Sequence, residues 1–346
     1  MPIPSDLLNT ITLGDSLELL QQLPDQTVDL ILTDPPYFRI VGNEWDRQWA
    51  NLDEFRAWVA KLAEQFRRIL KPHGALYWFC DDKVGAYCQI ELDRFFSLLN
   101  NLVWKKPGTL AARSKLSGLR SFATCTERIL FYEQKNASGM PATGLEAIHS
   151  NPDCFASIKK YMREEREKVK QMFGFSTQKE FDEWVNSATG TSSVASRHYW
   201  ADSQYAFPTR EHYEALRTHA RGGAFRREYD DLRREYDDLR REYDDLRRPW
   251  NNHESADEVL SFPAAAADDG STIHPTQKPI SLLAFLLERS TRPGFTVLDP
   301  FSGSGSTSIA CHRLGLDFIA FERDPAYHAA SLERLERERS QLLLPL

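Results

Sequence analysis

The chain has no cysteine pair at CxxC spacing, no long apolar run and no excess of positive charge. Its five cysteines, Cys80, Cys88, Cys125, Cys154 and Cys311, stand apart from one another, with no histidine cluster near them at zinc-binding spacing. That argues against a metal site or a disulfide-stapled scaffold, and predicts reduced thiols in a cytoplasmic protein. No apolar stretch approaches bilayer length, so no membrane partner is expected. The opening residues MPIPSDLLNT lack the basic and apolar segments of a signal peptide. The formal net charge is −7 over 346 residues, which argues against a protein that coats nucleic acid without specificity. Local basic patches remain compatible with that sum.

Three zones follow from composition. Up to about residue 136, short apolar runs alternate with helical periodicity. Ile11–Leu13, Val28–Thr33, Ala75–Phe79, Leu102–Trp104 and Arg128–Tyr132 read as strands, and Leu52–Leu70 as a helix stopped by Lys71-Pro72. Residues 137–270 are charged and poor in strand signals, and read as an inserted, mainly helical domain. Residues 271–346 resume the alternation, with helices at Leu282–Glu288 and Ser306–Leu314 and strands at Thr296–Asp299 and Phe318–Glu322. Strands separated by helix-length segments predict an α/β parallel sheet built from both ends of the chain.

Four segments carry chemistry. Asp34-Pro35-Pro36-Tyr37 directly follows the buried strand VDLILT. A carboxylate there accepts one hydrogen of an exocyclic amino group, and the Pro35 carbonyl, aimed by two fixed φ angles, accepts the other. Such contacts draw the nitrogen lone pair out of the ring, ready for in-line attack on a methyl sulfonium, while Tyr37 offers a stacking face. The competing reading is a rigid turn without chemistry. Asp299-Pro300-Phe301-Ser302-Gly303-Ser304-Gly305 also follows a strand and opens a helix, and Glu322 ends the next strand at the spacing of a ribose-binding acid. Gly303, Gly305 and Ser308 nearly satisfy GxGxxG, so a dinucleotide site competes. In His274-Pro275-Thr276-Gln277-Lys278-Pro279, Thr276 and Lys278 suit the carboxylate of an amino-acid-like ligand, or the segment is only a helix entry. Asp15, after the strand ITL, suits an adenine amino group, or caps a helix.

Taken together, D-P-P-Y, H-P-T-Q-K-P and D-P-F-S-G-S-G-S resemble the β-class DNA amino-methyltransferases, in which the catalytic motif comes first, target recognition is inserted, and the cofactor motif comes last. The resemblance covers about the first 135 and last 75 residues. It implies a Rossmann-like, S-adenosylmethionine-dependent α/β fold with a catalytic half at 1–136, a helical target-recognition domain at 137–270 and a cofactor half at 271–346. It implies that Asp34, Pro35, Pro36 and Tyr37 act on the base. It also implies that Asp15, Asp34, Thr276, Lys278, Asp299, Phe301, Ser302, Gly303, Ser304, Gly305 and Glu322 surround S-adenosylmethionine. Asp34 at the first motif position favours adenine N6 over cytosine N4. Gly42-Asn43-Glu44-Trp45-Asp46 also looks like members of this family, with Trp45 as a lid or core residue as the alternative. The reaction needs no metal and no nucleophile on the base, and no cysteine here lies in a Pro-Cys motif, which separates it from cytosine-C5 chemistry. Double-stranded DNA is the expected partner, and the expected location is the nucleoid in the cytoplasm. A dinucleotide oxidoreductase and a catalytically silent DNA-binding regulator are the rivals from other classes.

Between Trp104 and Thr126 the segment carries Lys105, Lys106, Arg113, Lys115 and Arg120 and no acid. It reads as a phosphate-contacting loop at the catalytic rim, with a solvated basic loop as the alternative. Thr177–Asn186, a turn at Ser187–Gly190 and Thr191–Trp200 read as a helix-turn-helix, in which Ser192, Ser193, Ser196, Arg197 and His198 would face base edges. An ordinary helical hairpin fits equally. REYDDLR occurs three times in tandem from Arg227, and its frame sets Phe225, Tyr229, Leu232, Tyr236, Leu239, Tyr243, Leu246 and Trp250 in one a/d seam across 225–250. With three acids to two arginines per repeat it is no groove reader, and its seam packs on a partner helix of a homodimer or on its own chain.

Overall fold

The computed structural model describes residues 2–38, 47–107, 120, 122, 125–135, 155–191, 198–201, 205–245, 248–251, 257–268 and 272–342. Its strands are β1 (Thr10–Leu13), β2 (Val28–Thr33), β3 (Leu70–Cys80), β4 (Phe96–Lys105), β5 (Thr126–Gln134), β6 (Val259–Ser261), β7 (Thr296–Asp299) and β8 (Asp317–Glu322). They form one sheet in the order β1-β8-β7-β2-β3-β5-β4-β6. From β1 to β3 every pairing is parallel, whereas β5 runs antiparallel to both β3 and β4.

β2 and β7 lie side by side, with Leu30 opposite Val297 and Ile31 opposite Leu298. From that pair the chain winds outward in both directions. This is the point where an open α/β sheet leaves a crevice beyond its strand ends. All six residues of β2 are buried, because helices cover both faces. Alternation splits the core accordingly: Leu76, Trp78 and Cys80 of β3 pack on one side, Ala75, Tyr77 and Phe79 on the other.

Helix α1 (Ser16–Leu20) follows β1, α2 (Leu52–Ile69) links β2 to β3, and α3 (Gly85–Leu92) precedes β4. In α2, Phe55, Val59, Leu62, Ala63, Phe66 and Ile69 form the buried stripe that its 3.6-residue period demands. The Asn51 side chain caps it by accepting from the Glu54 amide at 3.0 Å. One acid sits inside the apolar strand β2. Asp29 accepts two hydrogen bonds from Lys71 Nζ, one from His73 and one from the Thr296 amide. Burial pushes its pKa up, but the contacts from His73, Lys71 and Thr296 outweigh that and hold it below 3.8.

The chain divides into two compact units, Met1–Ala137 with Arg248–Leu346, and Ser138–Arg247. The second unit holds α4 (Ala156–Phe173), α5 (Gln178–Thr189), α6 (Arg210–His219) and α7 (Tyr229–Asp245), around a core that includes Phe155, Met162, Phe181, Trp184, Tyr213 and Leu232. Thr177 and Glu180 close a capping box at the start of α5. The helix runs on through the residues expected to turn, to Thr189, and Gly190 caps it at φ 68°. Ser192, Ser193, Ser196 and Arg197 lie outside the described residues. Tyr199 and Trp200, just beyond, are buried, with Trp200 Nε1 donating to the Met162 carbonyl at 2.9 Å.

The heptad seam is shorter than its sequence frame. Phe225 has φ 57°, a left-handed conformation outside the helix, and α7 starts only at Tyr229. Trp250 lies beyond Pro249 in the sheet-bearing unit, where it stacks on Phe131 at 5.6 Å. Tyr229 and Leu232 are buried, and Tyr236 and Leu239 pack against the same core. Tyr243 and Leu246 lie outside the described side chains. From Tyr229 to Leu239 the seam therefore packs on its own unit.

Past the insert, α8 (Ala265–Asp268), α9 (Ile280–Ser290), α10 (Ser306–Arg313) and α11 (Pro325–Leu342) complete the first unit. The expected domain boundary at 270 falls too late. The chain rejoins this unit at Arg248, and β6 pairs with β4 through Val103 and Val259, Trp104 and Leu260. A three-residue strand is too short to show a period. Among the described residues no helix is long and apolar enough to cross a membrane.

Candidate active site

At the β2–β7 crevice lies a cavity of about 340 Å³. Asp34, Pro35, Pro36 and Tyr37 line it from the end of β2, Asp299 to Ser304 from the end of β7, Thr276 and Lys278 from the entry to α9, and Glu322 from the end of β8. Of the residues read as cofactor contacts, Gly305 and Asp15 alone are absent from this lining. Gly305 shapes the loop at φ 75°, as the residue before α10. A Cβ there would stand 3.2 Å from both Ile11 Cδ1 and Ser331 Cβ. Asp15 is exposed, and its carboxylate caps α1 by accepting from the Leu17 amide at 2.9 Å. The helix-capping geometry is present, with a first-turn amide as the partner of the carboxylate. Its neighbour Ser16 lines the cavity instead and donates to the Pro300 carbonyl.

The glycine loop is tied to the acid of the next strand. Glu322 accepts from the Gly303 amide at 2.7 Å and from the Asp324 amide at 2.8 Å, with the Arg323 amide beside them. With about four lone-pair sites, the carboxylate retains capacity for a further donor. Burial raises the Glu322 pKa despite these bonds. Asp299 accepts from the Phe301 amide at 3.1 Å, and burial pushes its pKa up to about 7. From α11, Arg334 Nη1 donates to the Ser304 carbonyl and the Ser306 hydroxyl, both at 3.0 Å.

Across the cavity four polar side chains converge. Tyr37 donates its hydroxyl to Asp34 Oδ1 at 2.7 Å and approaches Glu127 Oε2 at 3.4 Å. The Lys278 ammonium stands 2.5 Å from Asp34 Oδ2 and 3.4 Å from Glu127 Oε2. Lys278 is only 5% exposed, and burial alone would depress its pKa, but Asp34 and Glu127 outweigh burial and raise it. Asp34 goes the other way: burial, with repulsion from Glu127, overcomes the attraction of Lys278 and lifts its pKa. Glu127 is lowered, because Lys278 and Lys106 together overcome its burial. Tyr37 is pushed well above its usual range by burial and by Asp34.

Within the protein, the residues expected to hold a ligand carboxylate have partners of their own. Lys278, read as a carboxylate clamp for a ligand, is held by the two protein carboxylates. Thr276 turns to His274, whose Nδ1 accepts from its hydroxyl at 3.1 Å. The His274 pKa is lowered to about 4, by burial first and then by Lys278, so the ring is neutral near pH 7. Lys106 pairs with Glu127 through Nζ, at the strand ends where Trp104 stands opposite Glu127. Lys105 and Arg120 are exposed, and His198 is half-buried. Arg113, Lys115 and Trp45 lie outside the described residues. Glu127 and His274 escaped the sequence reading as site residues. The apolar run RILFY drew the strand boundary two residues late, and His274 counted only as part of a helix entry.

A mainly parallel sheet with a cavity at its switch point, an acid after β2, an acid ending β7 and a glycine loop tied to the acid ending β8 defines a Rossmann-like α/β protein. The chain belongs to the DNA methylase family, whose match runs over residues 28–333. The family takes its methyl group from S-adenosylmethionine. The chain is 35% identical over 129 residues to the type II methyltransferase M.BglII of Bacillus subtilis, a match spanning 33% of this chain and 34% of that protein. It thus spans about a third of that relative's length. To the DNA adenine methyltransferase YhdJ of Escherichia coli it is 24% identical over 331 residues, 94% of this chain and 82% of that one. The solved complex of M1.HpyAVI with S-adenosylmethionine has the same fold, with a TM-score of 0.50 at 18% identity, covering 94% of this chain and 98% of the other.

Proposed function

We propose that the chain is a site-specific DNA methyltransferase that transfers the methyl group of S-adenosylmethionine to N6 of an adenine flipped out of double-stranded DNA. The observation that carries this reading is one cavity lined by both Asp34-Pro35-Pro36-Tyr37 and the glycine loop with Glu322. The donor fits the loop side. Glu322 faces the cavity with lone pairs free for ribose hydroxyls, and Gly303, at φ 53°, lets a ligand approach the backbone. Asp299, Phe301, Ser302 and Ser304 complete that wall.

When bound, S-adenosylmethionine supplies a methyl carbon made electrophilic by its sulfonium and departs as the thioether. The protein's part lies with the amino group. Asp34 and the Pro35 carbonyl accept its two hydrogens, and Tyr37 braces Asp34 while presenting its ring to the base. As the new N–C bond forms and the C–S bond breaks, the nitrogen sheds one proton. Asp34, whose pKa is raised, is the adjacent base. Flipping is required because N6 is inaccessible to in-line attack inside a base stack.

Asp at the first motif position favours adenine, and the relative YhdJ is named for adenine. The helical unit supplies target recognition in this reading. Lys105, Arg113, Lys115 and Arg120 hold phosphates, while Ser192, Ser193, Ser196, Arg197 and His198 face bases. Long-read sequencing of DNA from cells expressing the wild type or Asp34→Ala tests the proposal. N6-methyladenine at one motif with the wild type alone is the expected result. N4-methylcytosine would overturn the base, and no difference between the strains would overturn the activity.

A further inference from the structure

Asp34 and Glu127 form a half-buried carboxylate pair with two bridges, the Lys278 ammonium and the Tyr37 hydroxyl. The ammonium rests on Asp34 Oδ2, with Nζ 5.6 Å from the centre of the Tyr37 ring and 5.3 Å from that of Phe79. A carboxylate acceptor beside an aromatic face is the setting that an exocyclic amino group needs. Tyr37 donates to Oδ1 and the lysine stands on Oδ2 beside the same ring, so the ammonium occupies the space through which an amino group would reach Oδ2. The free protein thus fills its own amino subsite with its own cation.

A buried ammonium does not leave a carboxylate unless another carboxylate receives it. Glu127 Oε2 is that second seat, 3.4 Å from the same nitrogen. We propose that Glu127 is a positioning residue that takes the Lys278 ammonium when the amino group of the target base enters, freeing Asp34 Oδ2 to accept it. The inference rests on the methyltransferase reading of the cavity and assigns to Glu127 a part in it. Lys106 binds the other Glu127 oxygen, Oε1, and holds the carboxylate in place and ionised. The exchange keeps one ion pair throughout, so its cost is a short displacement of a flexible side chain. The remaining titratable neighbours are Asp299 on β7, pushed up to about 7, His274 ahead of α9, lowered to about 4 by burial and then by Lys278, and Cys80 on β3, whose thiol burial keeps protonated.

Glu127→Gln keeps the shape and removes the charge. Transfer from tritiated S-adenosylmethionine into unmethylated bacterial genomic DNA, followed across pH, reads the effect. The expected loss in kcat/KM for DNA is about tenfold or more, because Lys278 stays on Asp34. The affinity for S-adenosylmethionine, read by calorimetry, stays within about twofold. The acid limb of the pH profile moves to lower pH, because the repulsion that raises Asp34 is gone. Simple misfolding lowers the plateau without moving the limb. In a Lys278→Met background, Glu127→Gln costs less than about twofold, since nothing remains to be displaced. An unmoved limb, or an equal penalty in both backgrounds, overturns the proposal, and the limb alone decides if Lys278→Met shows no turnover. Wild-type protein that transfers no methyl group counts against the function itself. Wild-type transfer matched by Glu127→Gln counts against this inference alone.

Discussion

Lys278 Nζ lies 2.5 Å from Asp34 Oδ2 and joins residues separated by 244 positions. The entry to α9 and the end of β2 are thereby locked together at the strand ends. Neither side chain is free in the resting protein. Pairing also explains how an ammonium only 5% exposed retains its charge.

Replacing Asp34 with alanine removes the acceptor for the amino group. Methyl transfer in vitro should fall on the order of 100-fold or more, with S-adenosylmethionine binding largely retained. Single-turnover kinetics with labelled cofactor, beside a calorimetric titration, separates the two effects. Near-normal turnover would remove Asp34 from the chemistry.

Glu322→Ala acts on the cofactor instead. A charged hydrogen-bond acceptor is worth roughly 1.5–3 kcal/mol, so affinity for S-adenosylmethionine should fall about 10- to 100-fold. The Gly303 amide loses its partner as well, so a thermal melt of the free protein should shift down. Unchanged affinity would move the ribose contact elsewhere.

Asp299 makes stability depend on pH in a direction opposite to most carboxylates. Its folded pKa of about 7 lies above the unfolded value near 3.8. The folded state therefore binds the proton more tightly. The stabilisation is complete below pH 3.8 and is lost as pH rises through about 7. Asp299→Asn, neutral throughout, should unfold at higher denaturant than the wild type at pH 8 and lose that advantage near pH 4. Urea titrations at the two pH values check the sign, and equal differences at both would refute it.

Leu232→Ala tests the role of the heptad helix. Leu232 is buried in the core of the helical unit, so the substitution should cost about 2–5 kcal/mol in chemical denaturation of that unit. The sedimentation profile should not change. A shift to a smaller particle without loss of stability would mean that the seam faces a second chain.

Much of the site was legible because its residues sit at strand ends. A buried apolar run followed by an acid, as in VDLILT-Asp34 and TVL-Asp299, announces both the strand and where its carboxyl end points. VDLILT and TVLD were recovered to the residue, and α2 to within one residue. The helix-turn-helix boundary and the seam ends are not legible, since a turn inside a polar segment has no strong local signal and a heptad frame continues past the helix that carries it.

The sequence by itself determined the α/β alternation, the buried strands and the motif residues, because periodicity and local turn chemistry act over a few positions. Only the tertiary structure decided the partners. Sheet order placed β2 beside β7 and β5 beside β3, and so brought Glu127 against Asp34 and Lys278. It left Asp15 capping its own helix and drew Lys106 from the basic segment to Glu127. Those outcomes turn on which charges are buried together, and a low-dielectric pocket forces pairings that sequence distance does not reveal.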